Sequence, residues 1–287
     1  MHSGRLKVAV VGHVEWVQFA RVPHVPAAGE VVHASEPFEE PAGGGAVAAV
    51  QLARLAGESV LLTALGEDSY GRQTVPRLNE LGVEVRASFL DTPTRRAVTL
   101  VDDRRERTIT TFGQRLEPRA DHKELAWDAL AGSDAVYFTA GDQAALLATR
   151  ERTRVLVASP RARHALGHGV ALDALVLSAD DQVERGELAR VHDEAAVVVF
   201  TEGGHGGSYR TRAGDTGRWA AVEPPGDPVD SYGCGDSFAA GLTYGLGTGL
   251  ELQDALALAA RCGAVCLTGR GPYGRQLGGR DLQGSAP

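Results

Sequence analysis

Lysine is almost missing from this chain. Of its 29 basic residues only Lys7 and Lys123 are lysine, so arginine, the better bidentate ligand for carboxylates and phosphates, supplies the remaining positive charge. No Gly-Lys-Ser/Thr occurs, which excludes a Walker-type phosphate loop. Cysteine is sparse too: Cys234, Cys262 and Cys266 form no CxxC, which argues against a disulfide framework or a zinc site and fits a reducing cytoplasm. No apolar run approaches the ~18 residues a membrane helix needs, and no cleavage pattern follows the N-terminal run, so a soluble, untargeted, cytoplasmic protein without a membrane partner is expected. A net charge of -8 argues against broad binding of nucleic acid.

What is present is ordinary globular composition, with 43% hydrophobic and 23% charged residues over 287 positions. α/β folds of this length often form one domain, so 1–287 is read as a single unit. Short apolar runs that end in Gly, Ser or Ala recur at 6–12, 59–66, 134–141, 154–159, 173–179 and 195–203, as buried parallel strands do. Helical patterns lie between them, after the triple glycine at 43–45, over 69–82 with Gly82 as a stop, and over 122–132. The alternation predicts a doubly wound, mostly parallel α/β sheet, with ligands beyond the carboxyl ends of its strands. Segments 15–40 and 94–113 break the rhythm with period-2 patterns, the second turning at Asp102 to Arg105, and are read as a small β-sheet lid. The tail "GGRDLQGSAP" is read as loose.

One stretch concentrates chemistry. In "DSYGCGDSFAAGL", from Asp230 to Leu242, two glycines let backbone amides converge at the start of a helix, a geometry suited to an anion such as phosphate. Asp236 beside that anion is either the base that takes a proton from an attacking hydroxyl or simply the helix cap. Cys234 sits at a helix start, which would lower its thiol pKa if solvent reaches it, a buried and inert thiol being the other reading.

The same stretch closely resembles the C-terminal signature of the ribokinase-like (PfkB) carbohydrate kinases, at Asp230, Ser231, Tyr232, Gly233, Cys234, Gly235 and Asp236. Residues 42–83 look like that family's N-terminal signature, and "FTEGGHGG" resembles its Thr-x-Gly nucleotide loop, so the resemblance covers nearly the whole chain. It implies a ribokinase-like fold and transfer of the γ-phosphate of ATP to a hydroxyl, with Asp236 as base and the amides of Gly233, Cys234 and Gly235 as anion hole. Thr201, Gly203 and Gly206 match the nucleotide site, although a plain hairpin turn would use the same glycines. Asp181 falls where the family carries an acid linked to Mg²⁺, with Ser178 in place of an Asn, and a solvated loop carboxylate is the other reading of it. The family further implies a homodimer formed through the lid and leaves room for a monovalent cation such as K⁺.

Substrate positions depart from the family pattern. Glu15 and Val17 replace its usual Asn and Asp, and Gly44 and Val47 replace Asn, so polar ligands are lost and simple ribose or fructose is in doubt. Glu15, Gly43, Gly44 and Gly45 are the candidate substrate residues, Glu15 either accepting from hydroxyls or an amine or being part of an ordinary strand. The expected acceptor is a sugar or sugar derivative, with a nucleoside, or a non-catalytic metabolite-binding relative, as alternatives. "GGGAVA" (Gly43 to Ala48) satisfies the Gly-x-Gly-x-x-Ala pattern of a nicotinamide enzyme, but no buried strand precedes it. Trp16 reads as core or as a stacking surface, and Cys262 and Cys266, one helical turn apart, as buried small residues.

Overall fold

The computed structural model describes residues 5–191 and 193–283. Its main sheet has nine strands in the order β13-β12-β11-β10-β9-β8-β1-β4-β5, and the seven from β11 to β5 are parallel. These seven are β1 (Val8–Val11), β4 (Ser59–Gly66), β5 (Val83–Leu90), β8 (Ser133–Phe138), β9 (Thr153–Ala158), β10 (Leu172–Ser178) and β11 (Ala195–Thr201). β12 (Gly207–Thr211) and β13 (Thr216–Trp219) extend the sheet antiparallel at one edge. All four side chains of β1 are buried, as expected of a strand covered on both faces. One face carries α1 (Gly44–Ala56), α5 (Cys234–Gly247) and α6 (Leu252–Leu267), and the other α3 (Gln143–Arg150).

Local chemistry sets the element ends. α1 stops at Gly57, whose φ of 91° places it in the left-handed region that terminates helices cheaply only at glycine. Asp68 caps α2 (Ser69–Glu80) by accepting from the Gly71 amide at 2.8 Å, and also accepts from the amide and hydroxyl of Thr94 at 2.7 and 2.8 Å. One carboxylate thereby fixes both a helix start and the root of the lid.

The lid is a second sheet, ordered β3-β2-β6-β7, from β2 (Glu15–Arg21), β3 (Ser35–Ala42), β6 (Arg96–Val101) and β7 (Arg107–Phe112). Only the central β2–β6 pair is parallel. The hairpin between β6 and β7 turns where expected, with the Arg105 amide donating to Asp102 O at 2.9 Å. Phe19 stacks on Phe38 at 4.7 Å and meets Tyr232 edge-on at 4.9 Å, which anchors the lid on the turn before α5.

The structure corrects two local expectations. Residues 122–132 form two 3₁₀ turns, Lys123–Leu125 and Trp127–Leu130, because Ala126 between them has φ 48° and breaks the helical run. In the tail, Gly279–Gln283 is helical (α7), and the Gly278 amide is held by Asp281 at 2.9 Å; the rest of the expected loose tail, 284–287, lies outside the described residues.

Candidate active site

The sheet order brings together residues far apart in sequence. Beyond the carboxyl ends of β1 and β8 lie His13, Glu15 and Thr139; Arg161 follows β9, and Asp181 and Glu184 follow β10. The amino ends of α1 and α5 close over this edge. Gly45 donates to His13 O at 3.1 Å, and a β-carbon on Gly12 would stand 2.6 Å from Thr139 Cγ2, so strand and helix start are in contact there and only glycine fits.

The Asp230–Asp236 turn is held rigidly. Asp230 is buried, accepting from the Tyr232 amide at 2.9 Å and the Gly271 amide at 3.0 Å. Gly233, with φ 83°, is the cap of α5, and Val47 packs so close that a β-carbon there would meet its Cγ1 at 2.9 Å. The Ser237 amide makes the first bond of the helix, to Gly233 O at 2.8 Å, leaving the preceding amides as the unpaired donors of a helix start. The Cys234 amide is weakly engaged, 3.4 Å from Ser231 O. Open space adjoins Gly235.

Asp236 is therefore the third residue of α5 and not its cap. A β-carbon on Gly44 would lie 3.0 Å from Asp236 Oδ1, 3.3 Å from Thr139 Oγ1 and 3.5 Å from His13 Cε1. One on Gly43 would lie 3.3 Å from both Glu15 Cγ and His13 Nε2. Asp236, Thr139, His13 and Glu15 therefore converge on these two glycines. Burial raises the Asp236 pKa, with Arg161 and then Arg107 opposing it. Burial holds His13 neutral, well below its ordinary value, helped by the charges of Arg115, Arg161 and Arg95. Glu15 is raised by burial, against the pull of Arg95.

Ten buried side-chain polar atoms lack a hydrogen-bond partner among the described residues, and four of them belong to this cluster or to Arg95 beside it: His13 Nδ1, Glu15 Oε2, Arg95 Nε and Thr139 Oγ1. Glu15 Oε2 and Arg95 Nε are 3.3 Å apart but angled away from a hydrogen bond. A cluster of unsatisfied buried groups is costly unless a ligand completes it.

Val17 and Val47 pack with Phe19, Ala97 and Tyr232 in an apolar cluster under the lid. Polar groups come instead from His13, Arg95 and Thr139, none of which the sequence reading selected. Each of His13 and Thr139 stands one or two residues past the end of an apolar strand, the one signal that marks them. Trp16 is core: its Nε1 donates to Glu39 at 2.6 Å and its ring tilts against Tyr70.

Toward the other end of the sheet edge, Thr201 donates its hydroxyl to Leu177 O at 3.3 Å, and Gly203 and Gly206 have φ 54° and 80° in the turn joining β11 to β12. A β-carbon on Gly206 would strike Trp219 O at 2.2 Å. Asp181 accepts from the Val183 and Glu184 amides at 2.9 and 3.1 Å, capping α4 (Gln182–Val191) with Oδ1. Glu184, unmarked in the sequence, is the more buried acid, accepting from the Ser178 amide at 2.8 Å and ion-paired with Arg161 Nε at 2.8 Å. Cys262 and Cys266 are buried, and no group of three or more His, Cys, Asp or Glu among the described residues could hold a metal ion. No described helix is long and apolar enough to cross a membrane.

The model of the pfkB family carbohydrate kinases matches residues 5–185 and 171–276. The chain belongs to this family. As a pfkB-family sugar kinase it is a phosphotransferase acting on an alcohol group. It is 30% identical over 283 residues to the ATP-dependent ribose-1-phosphate kinase of Halopiger xanaduensis, covering 91% of each chain. It is 29% identical over 287 residues to the fructokinase of Salmonella typhimurium, covering 83% of this chain and 90% of that one. The Arabidopsis thaliana ribokinase structure complexed with ribose and ATP shares its fold, with a TM-score of 0.74 and 16% identity over 98% of both chains.

Proposed function

We propose that this kinase transfers the γ-phosphate of ATP to a hydroxyl of a sugar or sugar derivative, with Asp236 as the base and the Gly233, Cys234 and Gly235 turn as the anion hole. The observation that carries the reading is the place of Asp236 Oδ1, at the amino end of α5 and beside a cluster of unsatisfied polar groups. The acceptor rests on the floor formed by Gly43, Gly44 and Gly45, where Glu15, Arg95, His13 and Thr139 pair with its hydroxyls. A hydroxyl suits this mixed set because it donates to a carboxylate and accepts from a guanidinium at once. Asp236 takes the hydroxyl proton as the new O–P bond forms; the P–O bond to ADP breaks and its electron pair leaves on ADP. Amides at the α5 start stabilise the charge on the moving group without reorganising.

The nucleotide lies along Thr201, Gly203 and Gly206, where glycine permits close approach of the backbone. Mg²⁺ fits the acids present only as an ion carried mainly by the nucleotide phosphates and water, with Asp181 Oδ2 as the protein's contribution, since Oδ1 is committed to the helix cap. Bound there it would neutralise phosphate charge. A sugar is preferred to a nucleoside because Trp16, the aromatic nearest Glu15 in sequence, is committed to Glu39 and Tyr70 and offers no free face for a base. Every residue of β7 is exposed, Ile109 and Phe112 among them, which supports a homodimer formed through the lid in a cytoplasmic enzyme.

The test is release of ADP from MgATP over a panel of sugars and nucleosides, with Asp236→Asn as control. Turnover of a sugar by the unaltered chain and its loss in the variant are expected; equal turnover by both would overturn the assignment.

A further inference from the structure

Read along the carboxyl edge of the sheet, the order β11-β10-β9-β8-β1 runs from the Thr201 end to the His13 and Glu15 end. On the phosphotransfer reading above, the moving group crosses that edge beneath the amino end of α5. Arg161, just past β9, stands at the middle of the path. Its Nε forms an ion pair at 2.8 Å with Oε1 of Glu184, a buried acid whose other oxygen accepts from the Ser178 amide at 2.8 Å. Its backbone oxygen is held by Arg115 Nη2 at 2.7 Å. The terminal nitrogens are left over: Nη2 is 3.6 Å from Asp181 Oδ2, beyond a hydrogen bond, and the side chain is 52% exposed.

A surface ion pair does not account for this arrangement. Exposed pairs contribute little, and holding one through a buried carboxylate carries a desolvation cost. What the arrangement achieves is a guanidinium aimed from one edge, with its remaining donors free in the geometry that matches phosphate oxygens. Its charge also reaches the base, being the foremost influence opposing the burial of Asp236.

We infer that Arg161 is a further catalytic residue, its free Nη groups contacting the phosphoryl group in transit, and that Glu184 is the positioning residue that aims it. Neither residue belongs to a motif that the sequence displays. The inference rests on the proposed phosphotransfer, so its test separates the two.

The experiment compares Arg161→Gln, Arg161→Lys and Glu184→Gln with the unaltered chain, each checked for folding by circular dichroism. Binding of ADP, and of ADP with aluminium fluoride as a mimic of the moving phosphoryl group, is measured by calorimetry, alongside kcat. Arg161→Gln is expected to lower kcat by about 10²-fold or more and to weaken binding of ADP with aluminium fluoride by a like factor, with ADP affinity unchanged. Arg161→Lys falls between, keeping charge but losing the fork. Glu184→Gln gives a smaller loss of kcat and of affinity for ADP with aluminium fluoride, and both losses disappear when Arg161 is already Gln, which a purely structural glutamate would not show. Unchanged affinity for ADP with aluminium fluoride in both Arg161 variants, against tight binding by the unaltered chain, overturns the role of Arg161 and leaves the phosphotransfer reading standing. An unaltered chain that binds ADP with aluminium fluoride no better than ADP overturns both.

Discussion

Gly44 and Asp236 stand face to face where the first turns of two helices meet, a β-carbon on Gly44 falling 3.0 Å from Asp236 Oδ1. The first turns of α1 and α5 therefore share one small space, and an extra methyl there displaces either the carboxylate or the acceptor. Gly44→Ala should leave the fold and ADP binding intact while turnover falls by about 10²-fold, the scale of a misplaced reactive group. Steady-state kinetics with calorimetry of ADP binding check this; normal turnover would place the acceptor elsewhere.

Asp236→Asn should lose turnover by about 10²-fold or more while the protein becomes more stable. Burial raises the folded-state pKa of Asp236, so the folded form binds its proton more tightly than the unfolded chain. The charged carboxylate therefore costs stability above the raised pKa, and that cost fades as pH falls through it. An uncharged asparagine removes the cost at neutral pH, at about 2–4 °C in Tm for each kcal/mol relieved. A lowered Tm with retained activity would contradict both statements.

The same shift sets the pH profile. As base, Asp236 must be ionised, so kcat/KM should fall with decreasing pH at a limb above the ordinary Asp value of about 3.9. Loss of Arg161 should move that limb higher still, because its positive charge favours the ionised form. A profile flat down to the ordinary carboxylate range would remove Asp236 as the titrating group.

Glu15 and Arg95 are expected to set acceptor affinity. Each keeps an unused buried polar atom, so Glu15→Ala and Arg95→Ala should raise KM for the acceptor more than they lower kcat, the pattern of lost ground-state binding. A fall in kcat at constant KM would assign them to the chemical step instead.

The surroundings of Cys234 oppose the lowering expected from its helix-start position. Its hydrogen bond with Cys266, together with burial, raises the thiol, and these outweigh any gain from the helix dipole. Iodoacetamide at neutral pH should therefore leave Cys234 unmodified in the native protein and label it only after denaturation, as read by mass spectrometry. Rapid stoichiometric labelling of the native chain would show a reactive thiol.

How much of this was legible beforehand differs by level. Six of the parallel strands announce themselves as apolar runs, because a strand covered on both faces needs no alternation. β5 does not, since its buried and exposed residues are mixed at the sheet edge. The segment 122–132 carries a helical pattern that the backbone at Ala126 overrides, and no composition rule marks that turn.

The site divides along the same line. Asp230 through Asp236 is contiguous, so a turn, a helix start and a carboxylate were fixed by the sequence alone: the glycines permit the φ of 83° at Gly233, and adjacency puts Asp236 beside the free amides. His13, Thr139, Arg161 and Glu184 stand alone in sequence, the first three just after a strand and Glu184 in the first turn of α4. Only the tertiary structure makes them neighbours, because parallel strands present their carboxyl ends along one edge in an order unrelated to the order of the chain. That edge, closed by two helix starts, decides which lone side chains face a common ligand.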